Sequence, residues 1–434
     1  MRTALLLPLL LAAACATPPA GPPPPTRATP PRPAPCTEVP PGTLQAAAAA
    51  AGPGDALCLA PGDHPGPVAV PPQVTIWGPP DAVIRSDGAG TTVQVQGRGA
   101  RLLGFSIDGS GGRFDTLDAA LRLHQAQDVE VAGLEIRNAV FGILAERSEG
   151  LVLRGNVVRG AAQDALGLRG DSIRLWETRR SVVEENVVEH GRDVVVWYSS
   201  DNVVRRNRVS RGRYGTHLMY SHRNRVEDNV FAHNVVGVFV MYSRDVAIAR
   251  NVLAGASGAA GVGLGVKESG NLVVTGNRFV ANTIGAYLDT TPLQQEDTNL
   301  FRGNEFRFGE AGVVFHSSQR RNTFEDNRFR DNHDAVRVEG GGDALEVTWR
   351  GNDFDDYAGW DLDGDGFGDV PHEVRSLAAD LVSRHPQLAY FRGTATLAFV
   401  NLASHVIPLL APKTLLRDPR PRFGSLGPED HRAH

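Results

Sequence analysis

"RYGTHLMYSHRNRVEDNVFAHNVVGVFVMYS", Arg213–Ser243, contains one phrase twice. HLMYS ends at Ser221 and FVMYS at Ser243, 22 residues later. The chain has three methionines, and both internal ones, Met219 and Met241, fall in this stretch. Working outward, WYS recurs at Trp197–Ser199, another 22 residues upstream. The phrase then decays but keeps its frame: GLGVKES ends at Ser269, GAYLDTT at Thr291, GVVFHSS at Ser318 and, upstream, GILAERS at Ser148. Eight residues after most of these serines stands an asparagine: Asn156, Asn207, Asn229, Asn251 and Asn277. Asn186, Asn304, Asn327 and Asn352 hold that place in less regular copies. Self-similarity at such a period means a solenoid, a propeller or an array.

Each copy consists of short Val-, Ile- and Phe-rich runs broken by Gly, Asn and Asp, with no helical spacing of apolar residues. That excludes the helical solenoids, and a propeller blade needs a longer repeat. The reading is an all-β fold: a single right-handed parallel β-helix of about ten turns between Val74 and Phe354. Thr216, Leu218, Val226 and Phe231 should point inward, with Val238, Val240, Ile248 and Leu253 one turn on. The asparagines fit an internal amide ladder at a corner.

A stack of this kind needs capped ends. Thr43 followed by an alanine-rich run and a Gly-Pro-Gly-Asp stop predicts an N-terminal cap helix with Thr43 as N-cap. Near the other end, "VRSLAADLVSRH" and "ATLAFVNLASHVIPLLAP" predict two helices. The expected organisation is a signal peptide and lipobox region at 1–16, a Pro-rich tether at 17–35, the N-terminal cap at 36–70 and the β-helix at 71–356. An acidic loop at 357–372, C-terminal helices at 373–418 and a flexible tail at 419–434 follow. Cys15 reads as a lipidation site, with ordinary signal-peptidase cleavage the competing reading. The chain is thereby expected to be exported. Cys36 and Cys58 flank the cap helix and should form a disulfide in an oxidising compartment. Net charge is -5 over 434 residues with both signs interspersed, and no basic tail or motif argues for nucleic acid.

If Leu218 and Val240 point in, Met219 and Met241 point out. Aligned on the repeat serine, one outward column reads His124, Glu146, Arg169, Trp197, Met219, Met241, Lys267, Asp289, His316. Its neighbour reads Val195, His217, Phe239, Gly265, Tyr287. Trp197, Tyr198, Tyr220, Phe239 and Tyr242 then form an exposed aromatic surface suited to a partner. The bland alternative is a set of stacking rungs that only stabilise the coil. Thioethers suit Cu(I) and imidazole suits copper generally, so His217, Met219 and Met241 are candidate copper ligands. His222, His233 and His316 are read as bystanders.

"DLDGDGFGD", 361–369, places Asp361, Asp363, Asp365 and Asp369 at the oxygen-ligand spacing of a Ca2+ loop, with Gly366 at the sharp turn. Position twelve falls on His372, so Asp355 or Asp356 would have to supply the closing ligand.

The tandem G-x-H-x-MYS and G-x-F-x-MYS turns, TIGAYLD (283–289), GNDFDDYAGWDLDGDGFGDVP (351–371) and LAPK (410–413) together resemble the NosD family, periplasmic β-helix proteins of nitrous oxide reductase maturation. The resemblance covers roughly residues 43 to 419. It implies an exported partner of an ABC-type complex of permease and ATPase, needed to assemble the copper-sulfide centre of nitrous oxide reductase. It also implies copper binding and contact with the reductase or a copper chaperone. His217, Met219, Tyr220, Met241 and Tyr242 match the family's phrase position by position. Asp353-Phe354 stands where the family has two aromatics, His372 where it has tyrosine, and the lipobox-like Cys15 is not a usual family feature. Two rivals from other classes remain. One is a polysaccharide lyase or epimerase, for which Lys267, Asp289 and His316 are the candidate trio; the other is a surface-anchored scaffold. The expectation is a non-catalytic accessory protein, joined to the membrane through the permease and a lipid on Cys15.

Overall fold

A computed structural model describes residues 27–161, 165–316, 319–391, 394–407 and 412–424. Each repeat contributes three short strands, one to each of three walls. In the repeat that opens the quoted stretch these are Tyr214–Met219, Arg225–Glu227 and Val230–Ala232, and Val236–Met241 begins the next. Every strand pairs in parallel with its equivalents in adjacent repeats, giving walls of 12, 14 and 13 strands respectively. The first will be called the front wall and the others the side walls. The coil is longer than the ten turns expected, because Thr37–Val39 and Ala56–Leu59 already form rungs of the 14-stranded wall. These earliest copies lack the serine and asparagine that marked the period.

Alternation along each strand sends Leu218, Val226, Phe231, Val238, Val240, Ile248 and Leu253 into one continuous apolar core. Thr216 is buried among them. Towards the C-terminal end the core becomes aromatic: Phe279, Phe306, Phe329 and Phe354 stack at 4.6, 5.1 and 5.0 Å. The repeat glycine follows from this packing. A Cβ on Gly237 would lie 2.6 Å from the Gly263 carbonyl oxygen and 2.9 Å from a Leu253 methyl.

The asparagine ladder is continuous. Side-chain amides donate from Asn156 to Asn186, Asn207, Asn229, Asn251, Asn277, Asn304, Asn327 and Asn352 in turn, each at 2.9–3.0 Å. The series ends on Asp418, whose carboxylate accepts from Asn352 at 2.9 Å. The phrase W/M-Y-S has its own geometry. Tyr198, Tyr220 and Tyr242 adopt left-handed backbone (φ 50°, 50° and 49°), turning the chain at the corner of the front wall. The following serine points in. Ser221 accepts from the Ser199 amide (3.1 Å) and Ser243 from the Ser221 amide (3.0 Å).

At the N-terminal end α1 (Leu44–Ala50) buries Leu44 and Ala48 against the first rungs. Thr43 stands at its N-cap, but the hydroxyl donates to the Pro40 carbonyl at 2.8 Å instead of capping the helix. Cys36 and Cys58 are disulfide-bonded, with Cα atoms 5.9 Å apart. The stretch 27–35, assigned to the tether from sequence, lies instead along the wall. Arg27 Nε donates to the Gly133 carbonyl (2.8 Å), the Ala28 amide to the Gly155 carbonyl (2.9 Å), and Trp77 Nε1 to the Pro30 carbonyl (3.0 Å). Signal peptide, lipobox and Cys15 lie outside the described residues.

At the C-terminal end, α2 (Leu377–Arg384) and α3 (Ala395–Val406) are framed by two strands that sequence reading missed. His372–Arg375 pairs antiparallel with Thr414–Asp418, and Leu415 and Leu416 are buried at the end of the coil. No helix among the described residues is long and apolar enough to cross a membrane.

Candidate functional site

The front wall sets the register of its outward side chains. His124, Glu146, Trp176, Trp197, Met219, Met241, Lys267, Asp289 and His316 are successive partners in one column. Trp176 corrects the expected Arg169. The insertion before Ile173 disturbs the spacing, and Thr178 takes the place of the marker serine, its amide donating to Ser199 Oγ at 2.9 Å. The neighbouring column is Val195, His217, Phe239, Gly265, Tyr287. Met219 and Met241 are thus direct register partners on adjacent rungs, both half-buried.

His217 faces outward yet is only 5% exposed. Three rings close over it: Trp197 edge-on at 5.3 Å, Tyr214 edge-on at 4.8 Å and Phe239 stacked at 5.8 Å. The sequence reading made it part of an open patch because it did not include Tyr214 in the cover. Both ring nitrogens are engaged. Trp197 Nε1 donates to His217 Nδ1 at 3.2 Å, and Nε2 lies 3.4 Å from Met241 Sδ. Burial pushes the imidazole down to about 4; Asp193 opposes that shift and Arg213 adds to it. Asp193 is itself held by Arg213 Nε at 3.1 Å and by the Tyr214 amide at 3.1 Å.

Beside this cluster the corner tyrosines stack along the coil. Tyr198 and Tyr220 lie 5.3 Å apart and Tyr220 and Tyr242 4.8 Å, with rings within 7° and 11° of parallel. Tyr198 and Tyr220 are exposed, whereas Trp197, Phe239 and Tyr242 are half-buried. Trp176 extends the series, tilted against Tyr198 at 5.2 Å, with Arg174 over its face at 4.6 Å. A Trp-Glu-Thr phrase 21 residues before Ser199 was the signal that could have found it. The surface combines a thioether pair, one imidazole and a run of stacked rings.

Lys267, Asp289 and His316 stand on successive rungs further along. Lys267 Nζ is 3.8 Å from Asp289, and His316 Nδ1 is 3.3 Å from the Tyr287 hydroxyl. His222 accepts from the Arg244 amide at 3.1 Å, and His233 is exposed, both away from the front wall.

In the acidic loop, Asp361, Asp363 and Asp369 bring one carboxylate oxygen each within 4.8 Å of one another. Asp365 departs from the expected set. It accepts from the Phe367 amide and is ion-paired with Arg420, and these two partners in that order hold its carboxyl below the usual range. Asp355 and Asp356, expected to close the loop, do not join this group: His372 packs on Phe354 at 4.3 Å, Asp356 lies 3.5 Å from His372, and Asp355 accepts from the Asp331 amide. Amides of Gly364 and Gly366 donate to Asp361 at 2.7 and 2.9 Å.

Fold and face together define a parallel β-helix protein whose distinctive side chains stand on the outside of one wall. Solved structures agree on the fold. The chain resembles the A-module of a mannuronan C-5 epimerase from Azotobacter vinelandii (TM-score 0.56, 18% identity, 73% of this chain and 95% of that one). It also resembles the catalytic unit of an α-1,3-glucanase from Streptomyces thermodiastaticus (TM-score 0.56, 15% identity, 77% and 71%). At these identities the likeness is one of fold alone. Residues 161–359 match the family described as "Periplasmic copper-binding protein (NosD)". Two curated relatives are each named "Probable ABC transporter binding protein NosD". That of Pseudomonas aeruginosa is 25% identical, covering 76% of this chain and 79% of its own. That of Stutzerimonas stutzeri is 23% identical, covering 80% and 82%. The family match over residues 161–359 and the two relatives together support membership of the NosD family.

Proposed function

We propose that this chain is an exported accessory component of an ABC-type complex that serves assembly of the copper-sulfide centre of nitrous oxide reductase, acting by docking and binding rather than by catalysis. The observation that carries the reading is the tandem MYS face, where Met219, Met241 and His217 occur in the family's phrase on one wall. The names of the two relatives support association with an ABC-type system.

In this reading the aromatic series Trp197, Tyr198, Tyr220, Phe239 and Tyr242 engages the reductase or a copper chaperone. Aromatic side chains concentrate binding energy at such interfaces. Copper is cargo, held as Cu(I) by soft thioether and imidazole donors. The 3.4 Å approach of His217 Nε2 to Met241 Sδ, with Met219 on the adjoining rung, fits that donor set. The permease contact is assigned to the C-terminal helices, where Tyr390, Phe391, Phe399 and Leu402 are exposed. Asp361, Asp363 and Asp369 are assigned to a structural Ca2+ that ties the loop to the end of the coil. The protein is placed in the periplasm, with a lipid on Cys15, which intact mass of the membrane-extracted chain would reveal.

The test is deletion of the gene followed by isolation of the reductase. The reading predicts a reductase lacking its copper-sulfide centre and restored by the gene in trans. A reductase that retains the centre after deletion overturns it.

A further inference from the structure

We infer that Trp197 is a latch on His217: its indole N–H holds the imidazole in the tautomer protonated at Nε2, so that Nε2 is open to a soft cation only once the indole moves away. The identity of the cation as Cu(I) rests on the function proposed above; the latch itself does not.

An indole nitrogen is a donor only. Trp197 Nε1 lies 3.2 Å from His217 Nδ1, so Nδ1 presents its lone pair to that N–H. The ring then carries its single proton on Nε2, the atom 3.4 Å from Met241 Sδ, and a thioether sulfur is a weak acceptor. The ring is sandwiched in this orientation, stacked on Phe239 and met edge-on by Tyr214.

Histidines that bind metals donate their second ring N–H to a carboxylate, a carbonyl or water. Here the group facing the second nitrogen is a donor. With Nε2 given to a cation, the proton would sit on Nδ1 and two N–H groups would confront each other across 3.2 Å. The buried imidazole has three ring neighbours, so the movable partner is Trp197. It is half-buried, stands at the outer surface of the cluster and is flanked by Trp176 at 5.7 Å. Trp197 is thus a positioning residue that keeps the imidazole from the wrong partner, and it also reports whether the site is filled.

Trp197→Phe keeps an aromatic rung and removes the N–H. In the metal-free protein, nitrogen NMR should show His217 wholly in the Nε2–H form in the wild type and a tautomer mixture in the variant. Wild-type His217 protonated at Nδ1, or an unchanged pattern in Trp197→Phe, overturns the latch. With Cu(I) buffered by a competing chelator, Trp197→Phe should bind about three- to tenfold more tightly, the worth of one hydrogen bond no longer broken. The Trp197 component of the emission should change in step with occupancy in the wild type. Equal or weaker binding by Trp197→Phe also overturns the latch. Should neither protein take up Cu(I), or should Met219→Ala with Met241→Ala leave uptake unchanged, the copper reading falls while the tautomer measurement still decides the latch.

Discussion

His217 is the residue where burial and chemistry meet. Its folded value of about 4 lies below the usual 6.5, because the rings around it disfavour the charged form. Above about pH 6.5 the ring is neutral in both states and contributes nothing to pH dependence. As pH falls from there towards 4, the unfolded chain takes up the proton first, and the folded state loses up to about 3 kcal/mol. Urea unfolding at pH 7.5 and 4.5 should therefore show His217→Phe losing roughly 2 kcal/mol less on acidification than the wild type. Equal acid sensitivity would contradict the buried, neutral assignment. The inward and outward alternation of Leu218, Met219, Val240 and Met241 was legible because strand period alone determines it. The cover over His217 was not. It depends on Tyr214, three residues before His217 and outside the aligned column pair, and on side-chain torsions that no repeat pattern encodes.

At the scale of the element, the ladders hold the coil in register. Asn229 takes hydrogen bonds from the Asn207 amide and side chain and donates to the Val204 carbonyl and Asn251. Asn229→Ala strands several buried partners at once, each worth about 1–3 kcal/mol. Denaturant titration should find a loss of about 3 kcal/mol or more. A loss below about 1 kcal/mol would mean that the ladder does not carry the corner. The tyrosine ladder behaves differently, since its rings stand outside. Tyr198→Ala with Tyr220→Ala should leave the unfolding midpoint close to that of the wild type while weakening capture of the reductase or chaperone in a pull-down. Retained capture would reduce the rings to stacking rungs. The asparagine rungs were readable because a buried amide ladder demands one residue type at one spacing. The serine corner was visible only as a phrase. Its use, an inward hydroxyl following a left-handed tyrosine, required backbone geometry.

For the molecule as a whole, the ends were harder to read than the middle. Arg27–Pro35 looked like a stiff tether by composition, yet carbonyls of the coil capture it. Long-range partners such as Gly133 and Gly155 leave no mark near Arg27 in the sequence. The antiparallel pair His372–Arg375 and Thr414–Asp418 was missed for the same reason, since its halves are separated by the helices. The acidic loop was legible as four aspartates, but only three converge because Arg420 claims the fourth. If Ca2+ fills that loop at a hundred times its Kd, chelation should lower stability by about 2.7 kcal/mol. Asp361→Asn with Asp369→Asn should remove that sensitivity in a melting experiment, and a wild-type melt indifferent to chelator would leave the loop without a cation. The central claim, that the Met-His face of the front wall does the work of the protein, is tested most directly in a strain lacking the gene. Complementation there with Met219→Ala/Met241→Ala, checked to be folded and exported, should yield a reductase deficient in copper at its copper-sulfide centre, while the wild-type gene restores it. Full copper content with the double variant would contradict the account.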